Sequence, residues 1–222
     1  QEPGYWLIVI TLDRMGFEYP AINVVASLSF FIGIHAIARR QRDPLFYLTL
    51  TFPVLMTGIA MAATRQELAM GFVCVAFNAF ADKKKYRYMV FCLIAAQFHR
   101  SAYAFFLFTP MLLNVGRQYK IFALLLALPA VYFLAQSEAA DRYAGMYLGA
   151  GAQDAAGGPF RAFILFLTAI FFIYFLKPQW KKYSPEDFDF VDGLIPVIMA
   201  MFPISLVASV VGDRFGYYMA PV

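Results

Sequence analysis

The chain has 222 residues, of which 62% are hydrophobic, 18% aromatic and 14% charged, with a mean hydropathy of +0.64. A soluble domain carries about 25% charged and roughly 45–50% apolar residues, so this chain cannot present a water-facing surface all round. A disordered tail, a nucleic-acid module and a secreted disulfide scaffold are excluded, and the net charge of +4 is read by placement, because in a membrane protein placement sets orientation.

A bilayer core of about 30 Å takes about 20 helical residues. Apolar runs punctuated by charge clusters occur at 20–38, 45–63, 68–81, 88–98, 102–115, 119–135, 160–176 and 190–211. They predict an all-α, polytopic transmembrane helix bundle of about eight helical segments, two of them too short to cross alone. Residues 1–222 read as a single transmembrane domain with outer segments 1–19, 136–160 and 212–222. The chain begins at Gln1, and residues 217–222 read as the opening of another apolar stretch, so further helices are expected at one or both ends. Cys74 and Cys92 sit inside apolar runs and read as packing residues.

Four turns are basic: Arg39-Arg40-Gln41-Arg42, Lys83-Lys84-Lys85 with Arg87, Arg117 with Lys120, and Lys177 with Lys181-Lys182. They alternate with turns that lack lysine, the pattern of cytoplasmic loops, so both ends of the chain are expected outside. On the outer side the six basic residues Arg14, Arg65, Arg100, Arg142, Arg161 and Arg214 are all arginine. Arginine offers a planar fork of donors matched to phosphate oxygens, which points to an anionic group bound there. Selection against outer lysine, with pairing to Asp13, Glu18, Asp141 and Asp213, is the other reading of the same asymmetry.

Depth along the helices adds to it. From Arg87 to His99 the rise is about 18 Å, so the tip Phe98-His99-Arg100-Ser101 falls short of the outer interface. From Asp82 back to Arg65 it is about 26 Å. A recessed tip is tolerated only where protein or a water-filled cavity covers it, and charge in hydrocarbon costs roughly 2.5–3.5 kcal/mol on insertion scales. Arg65-Gln66-Glu67 opens a helix, whose free N–H groups and dipole favour an anion. Two recessed polar tips imply a cavity open to the outside; the alternative is local, with Glu67 pairing Arg65 while His99 and Arg100 satisfy carbonyls at a helix end. His35 reads as an interior histidine near the inner end. Asp187-Phe188-Asp189 reads as a solvated acidic turn, and two histidines without a cysteine cluster give no transition-metal site.

Glu2-Pro3-Gly4-Tyr5 ahead of an amphipathic stretch, Arg65-Gln66 after an outer turn, Phe98-His99-Arg100-Ser101-Ala102 after a basic turn, and Asp213-Arg214 with Tyr217-Tyr218 late in the chain together resemble the EpsG-type, Wzy-like polysaccharide polymerases of bacterial exopolysaccharide and O-antigen pathways. The resemblance implies a metal-independent glycosyltransferase without cofactor, in the bacterial plasma (inner) membrane, with its site facing the periplasm. Its substrate would be an undecaprenyl-pyrophosphate-linked oligosaccharide, with membrane lipids around it, no nucleic acid, and a chain-length regulator and flippase as partner candidates. The leading catalytic candidates are Glu2, His99 and Arg65. The pyrophosphate and glycan candidates are Arg65, Gln66, Arg100, Ser101, Arg142, Arg214, Tyr217 and Tyr218. Another polyprenyl-linked transferase or ligase, or a flippase for the same lipid, stands as the alternative.

Overall fold

The computed structural model describes residues 2–55, 63–112 and 157–221. Every element among them is helical: α1 (Pro3–Arg14), α2 (Pro20–Ala38), α3 (Pro44–Leu55), α4 (Thr64–Ala81), α5 (Lys85–Phe98), a 3₁₀ helix (Arg100–Leu112), α6 (Gly158–Phe171), a π-helical turn (Phe172–Leu176), α7 (Lys177–Tyr183), α8 (Pro185–Val207) and α9 (Ser209–Met219). Three helical stretches among the described residues are long and apolar enough to cross a membrane: Pro20–Ala38, Gly158–Tyr183 and Phe188–Val207. The chain is an all-α membrane helix bundle. It divides into two compact units, one holding α1 to α5 and the 3₁₀ helix, the other α6 to α9.

In the first unit, α2 is apolar on every side, as a span requires. Ile22, Ala26, Phe30, Ile34 and Ile37 turn inward, while Val24, Leu28, Phe31 and Ile32 stay exposed and form the face that lipid covers. The inward face runs parallel to α4. Thr64 Oγ1 bonds Asn23 Oδ1 at 3.1 Å, Ser29 Oγ donates to Leu68 O at 3.3 Å, and Arg40 pairs with Asp82 beyond the other end. Midway the two backbones touch. A Cβ on Gly33 would lie 2.3 Å from Gly71 O, and one on Gly71 would lie 2.3 Å from Ser29 O. Glycine is required here by the close approach, as in small-residue contacts between membrane helices.

Helix α4 turns back into α5 through Asp82-Lys83-Lys84. Lys84 N–H donates to Ala79 O and Lys83 N–H to Phe80 O, and Lys83 takes φ 57°. This Schellman closure usually holds glycine; a lysine costs roughly 1–2 kcal/mol in the left-handed conformation and keeps a positive charge in a basic turn. The segment expected as a helix over 102–115 is instead a 13-residue 3₁₀ helix, long for its kind. Its rise of about 2.0 Å per residue carries it about 26 Å, against about 21 Å for the 14 residues of α5. The stretched form lets a short segment run the length of the bundle. It is held by the Tyr88 hydroxyl, which donates to Phe105 O, and by an edge-on Phe77–Phe105 contact at 5.5 Å.

In the second unit the helix expected over 160–176 continues to Tyr183. The π turn falls just before Pro178, whose ring and missing N–H disturb the preceding turn. The run expected over 190–211 is corrected in two ways. Helix α8 begins at Pro185, so Asp187-Phe188-Asp189 opens a helix where a turn was expected, and acidic residues suit that end of the dipole. It ends at Val207, with Ala208 extended at φ −138°, ψ 82°. Alanine is a good helix former, so no local signal marks this break. The break lets α9 pack against both α8 and α6.

Candidate functional site

The cluster of interest lies in the first unit, at the end of α4 and α5 remote from the Asp82–Lys84 turn. Pro3 at the first helical position starts α1 and leaves Glu2 extended ahead of it, at φ −98°, ψ 99°. The first turn of α1 seats directly on the end of α5, where a Cβ on Gly4 would lie 2.7 Å from Gln97 Cβ. Phe72 and Phe98 stack at 5.3 Å and join α4 to α5.

This seating brings Glu2 between two distant segments. Its Oε2 accepts from Arg65 Nη1 at 3.2 Å, and its Oε1 accepts from the Arg100 N–H at 3.3 Å. The Glu2 side chain is 13% exposed and that of Arg65 53%. The carboxylate is therefore a partly enclosed anchor, and the guanidinium presents donors to solvent. Arg65 also lies over the Tyr5 ring, 4.7 Å from its centroid. Tyr5 is buried, and its phenol is raised above the ordinary tyrosine range first by that burial, then by the Tyr19 hydroxyl, with Arg65 opposing both.

Next to Arg100, Ser101 N–H donates to His99 Nδ1 at 3.3 Å, and Ser101 Oγ lies 2.9 Å from the same nitrogen. A backbone N–H only donates, so Nδ1 is an acceptor and the neutral ring carries its proton on Nε2. In this arrangement His99 is a donor at Nε2.

Three of the sequence motifs thus meet: Glu2 to Tyr5, Arg65, and His99 to Ser101. The α5 tip is covered by the start of α1. The local alternative for Arg65 does not hold, because its carboxylate partner is Glu2; Glu67 points away, is 1% exposed, and has one oxygen without a hydrogen-bond partner among the described residues. Gln66 is also buried, at 4% exposure, and so is walled into the bundle. Arg142 lies outside the described residues. Arg214, Tyr217 and Tyr218 belong to the second unit, where Tyr218 is fully buried.

That unit holds a charged cluster of its own. Arg161 Nε donates to Asp213 Oδ1 at 2.7 Å, and the Arg161 guanidinium lies 5.5 Å from the Tyr217 ring centroid. Asp213 is thereby engaged as a charged acceptor. The sequence reading offered Asp213 as a partner for the outer arginines without assigning it to Arg161, and it missed Tyr5 as the platform under Arg65. The signal for the first was an arginine on the opening turn of one helix and an aspartate on another. Among the described residues no group of three or more His, Cys, Asp and Glu gathers to hold a metal ion.

No curated protein and no solved structure matches this chain. A family model does, over residues 1–222, and it covers all three motif segments that meet around Glu2 as well as the Asp213–Arg214 segment. The chain belongs to the EpsG family.

Proposed function

We propose that this protein is a glycan polymerase of the bacterial plasma membrane, transferring a growing polysaccharide from undecaprenyl pyrophosphate to an incoming lipid-linked repeat unit at the outer face. The single observation that carries this reading is the meeting of Glu2, Arg65 and the His99–Ser101 tip, from segments up to 98 residues apart. Family membership supports a polymerase-like membrane protein.

The roles follow from the chemistry of each group. The leaving group is a lipid pyrophosphate, whose departure builds negative charge. Arg65 keeps half its surface open while Glu2 and the Tyr5 ring fix its plane, so its fork meets phosphate oxygens without reorganising. Fixed donors of this kind contribute about 2.7–4 kcal/mol each where they have been removed singly. His99, donating from Nε2, adds a second fixed donor to the same charge. The acceptor hydroxyl is a poor nucleophile and needs a base. Glu2 suits this role because it is a carboxylate with acceptor capacity beyond its two observed donors. By their chemistry alone, Arg142 and Arg214 are proposed as anion contacts of the substrate and Tyr217 as a glycan contact.

Incubation of the full-length protein with a defined lipid-linked repeat unit, followed by gel analysis, tests this. A ladder of repeat units is expected. A product one unit longer assigns a single-addition transferase, and lipid translocation without bond formation assigns a flippase.

A further inference from the structure

The loop between α1 and α2 folds over to leave a groove of about 340 Å³, near the lower end of the 300–1,000 Å³ that small-molecule sites occupy. Its walls are mostly apolar, the rings of Trp6, Phe17 and Tyr19 beside aliphatic side chains of α1 and α2, with Asp13 and Glu18 as the charged residues. Trp6 is 42% exposed, Phe17 52% and Tyr19 67%. Neither carboxylate has a hydrogen bond or ion pair from another side chain among the described residues. The groove adjoins the cluster around Glu2 through its Trp6 wall, because Trp6 stands edge-on to Tyr5 at 6.4 Å between ring centroids and Tyr5 lies beneath Arg65.

We propose that this groove is a sugar subsite, holding uncharged rings of the lipid-linked glycan next to the Glu2–Arg65 pair. The identity of the glycan rests on the polymerase reading; the sugar chemistry of the groove does not. A pyranose has an apolar C–H face and a rim of hydroxyl donors. Flat aromatic surfaces take the face, and carboxylates, which only accept, take the hydroxyl protons in charge-assisted bonds. Other occupants fit worse. A lipid phosphate or an acidic sugar meets two like charges, and an acyl chain, although the aliphatic wall would contact it, would strip water from two carboxylates without replacing their hydrogen bonds. The division of labour is then by charge, with anionic pyrophosphate on the Arg65 side and neutral sugar on the Asp13–Glu18 side.

The test uses the full-length protein in detergent micelles and, as probe, the lipid-free repeat-unit oligosaccharide released from the polysaccharide of the strain that encodes this chain. Saturation-transfer NMR is expected to show the sugar C–H protons in contact with protein. Trp6→Ala should weaken binding about tenfold, and the double variant Asp13→Asn with Glu18→Gln by a similar factor. Both changes lie on exposed positions, and circular dichroism of each variant confirms the helix content. No transfer to the sugar from the wild-type protein, or unchanged affinity in both variants, overturns the subsite. So does displacement of the oligosaccharide by short-chain phosphatidylglycerol. The two readings fail separately: sugar binding that depends on Trp6, in a protein that makes no polymer, leaves the subsite standing and removes the polymerase. A polymer ladder from a wild-type protein that shows no transfer to the oligosaccharide, or whose variants keep full sugar affinity, does the reverse.

Discussion

Glu2 and Arg65, 63 positions apart in the chain, form an ion pair at 3.2 Å at the mouth of the helix bundle, and the same Glu2 carboxylate accepts the Arg100 N–H at 3.3 Å. One carboxylate thereby ties together the start of α1, the start of α4 and the tip after α5. Its weight lies in geometry more than in stability, since a half-exposed pair contributes about 0–1 kcal/mol.

Arg65→Lys keeps the charge and loses the planar fork. Polymer formation from a defined lipid-linked repeat unit should fall about 100-fold, with the protein still inserted and folded. A full-length ladder from the lysine variant would remove Arg65 from the role of phosphate clamp.

His99→Ala removes the Nε2 donor and should lower the rate of polymer formation by a factor of about 100, as for loss of one fixed donor. Ser101→Ala leaves the backbone N–H on Nδ1 and so keeps the ring tautomer. Its loss should stay within about tenfold, the worth of one hydrogen bond. Equal losses in the two variants, measured by initial rates, would show that the hydroxyl acts directly on substrate.

Gly4→Ala tests the seating of α1. The new Cβ would meet Gln97 Cβ at 2.7 Å, so the helix must lift off the α5 tip at a cost of about 1–3 kcal/mol. Thermal unfolding in detergent should show the loss, and polymer yield should fall with it because Glu2 moves away from Arg65. An unchanged melting temperature with full yield would mean that α1 adjusts freely.

At the other end of the bundle, Asp82 is held below the usual carboxylate range first by its hydrogen bond to Arg40 and then by Lys84. A carboxyl depressed on folding contributes stability above its unfolded value of about 3.9, and that contribution is lost as pH falls through the lower folded value. The stability gap between wild type and Asp82→Asn should be at most about 1 kcal/mol at neutral pH and close below pH ~4. Lys84→Ala should leave polymer yield unchanged, because this end serves orientation. A gap that widens in acid, or a strong loss of polymer in a folded Lys84 variant, would contradict the assignment of the two ends.

Much of this protein was legible before any fold was known. The helical class follows from apolar runs near the length of a bilayer core. Even the distance of His99 from the basic turn came from counting residues at 1.5 Å each from Arg87, because a helix converts sequence distance into length. Local sequence also set Arg65 and His99 apart from the lysine turns, and the resemblance to the EpsG family added Glu2.

Tertiary structure decided what these residues do to one another. Partner choice for Arg65 lay between Glu67, two residues away, and Glu2, 63 away, and helix geometry turned Glu67 into the core while Gly4 let α1 close on the α5 tip. The 3₁₀ helix and the break at Ala208 also escaped the sequence, since Pro110 comes only near the end of the first run and neither proline nor glycine stands at the second. Periodicity and charge act within a few residues of each other and can be read along the chain. Ion pairs, close backbone contacts and helix stretching are set by which surfaces meet, and only the folded chain brings those surfaces together.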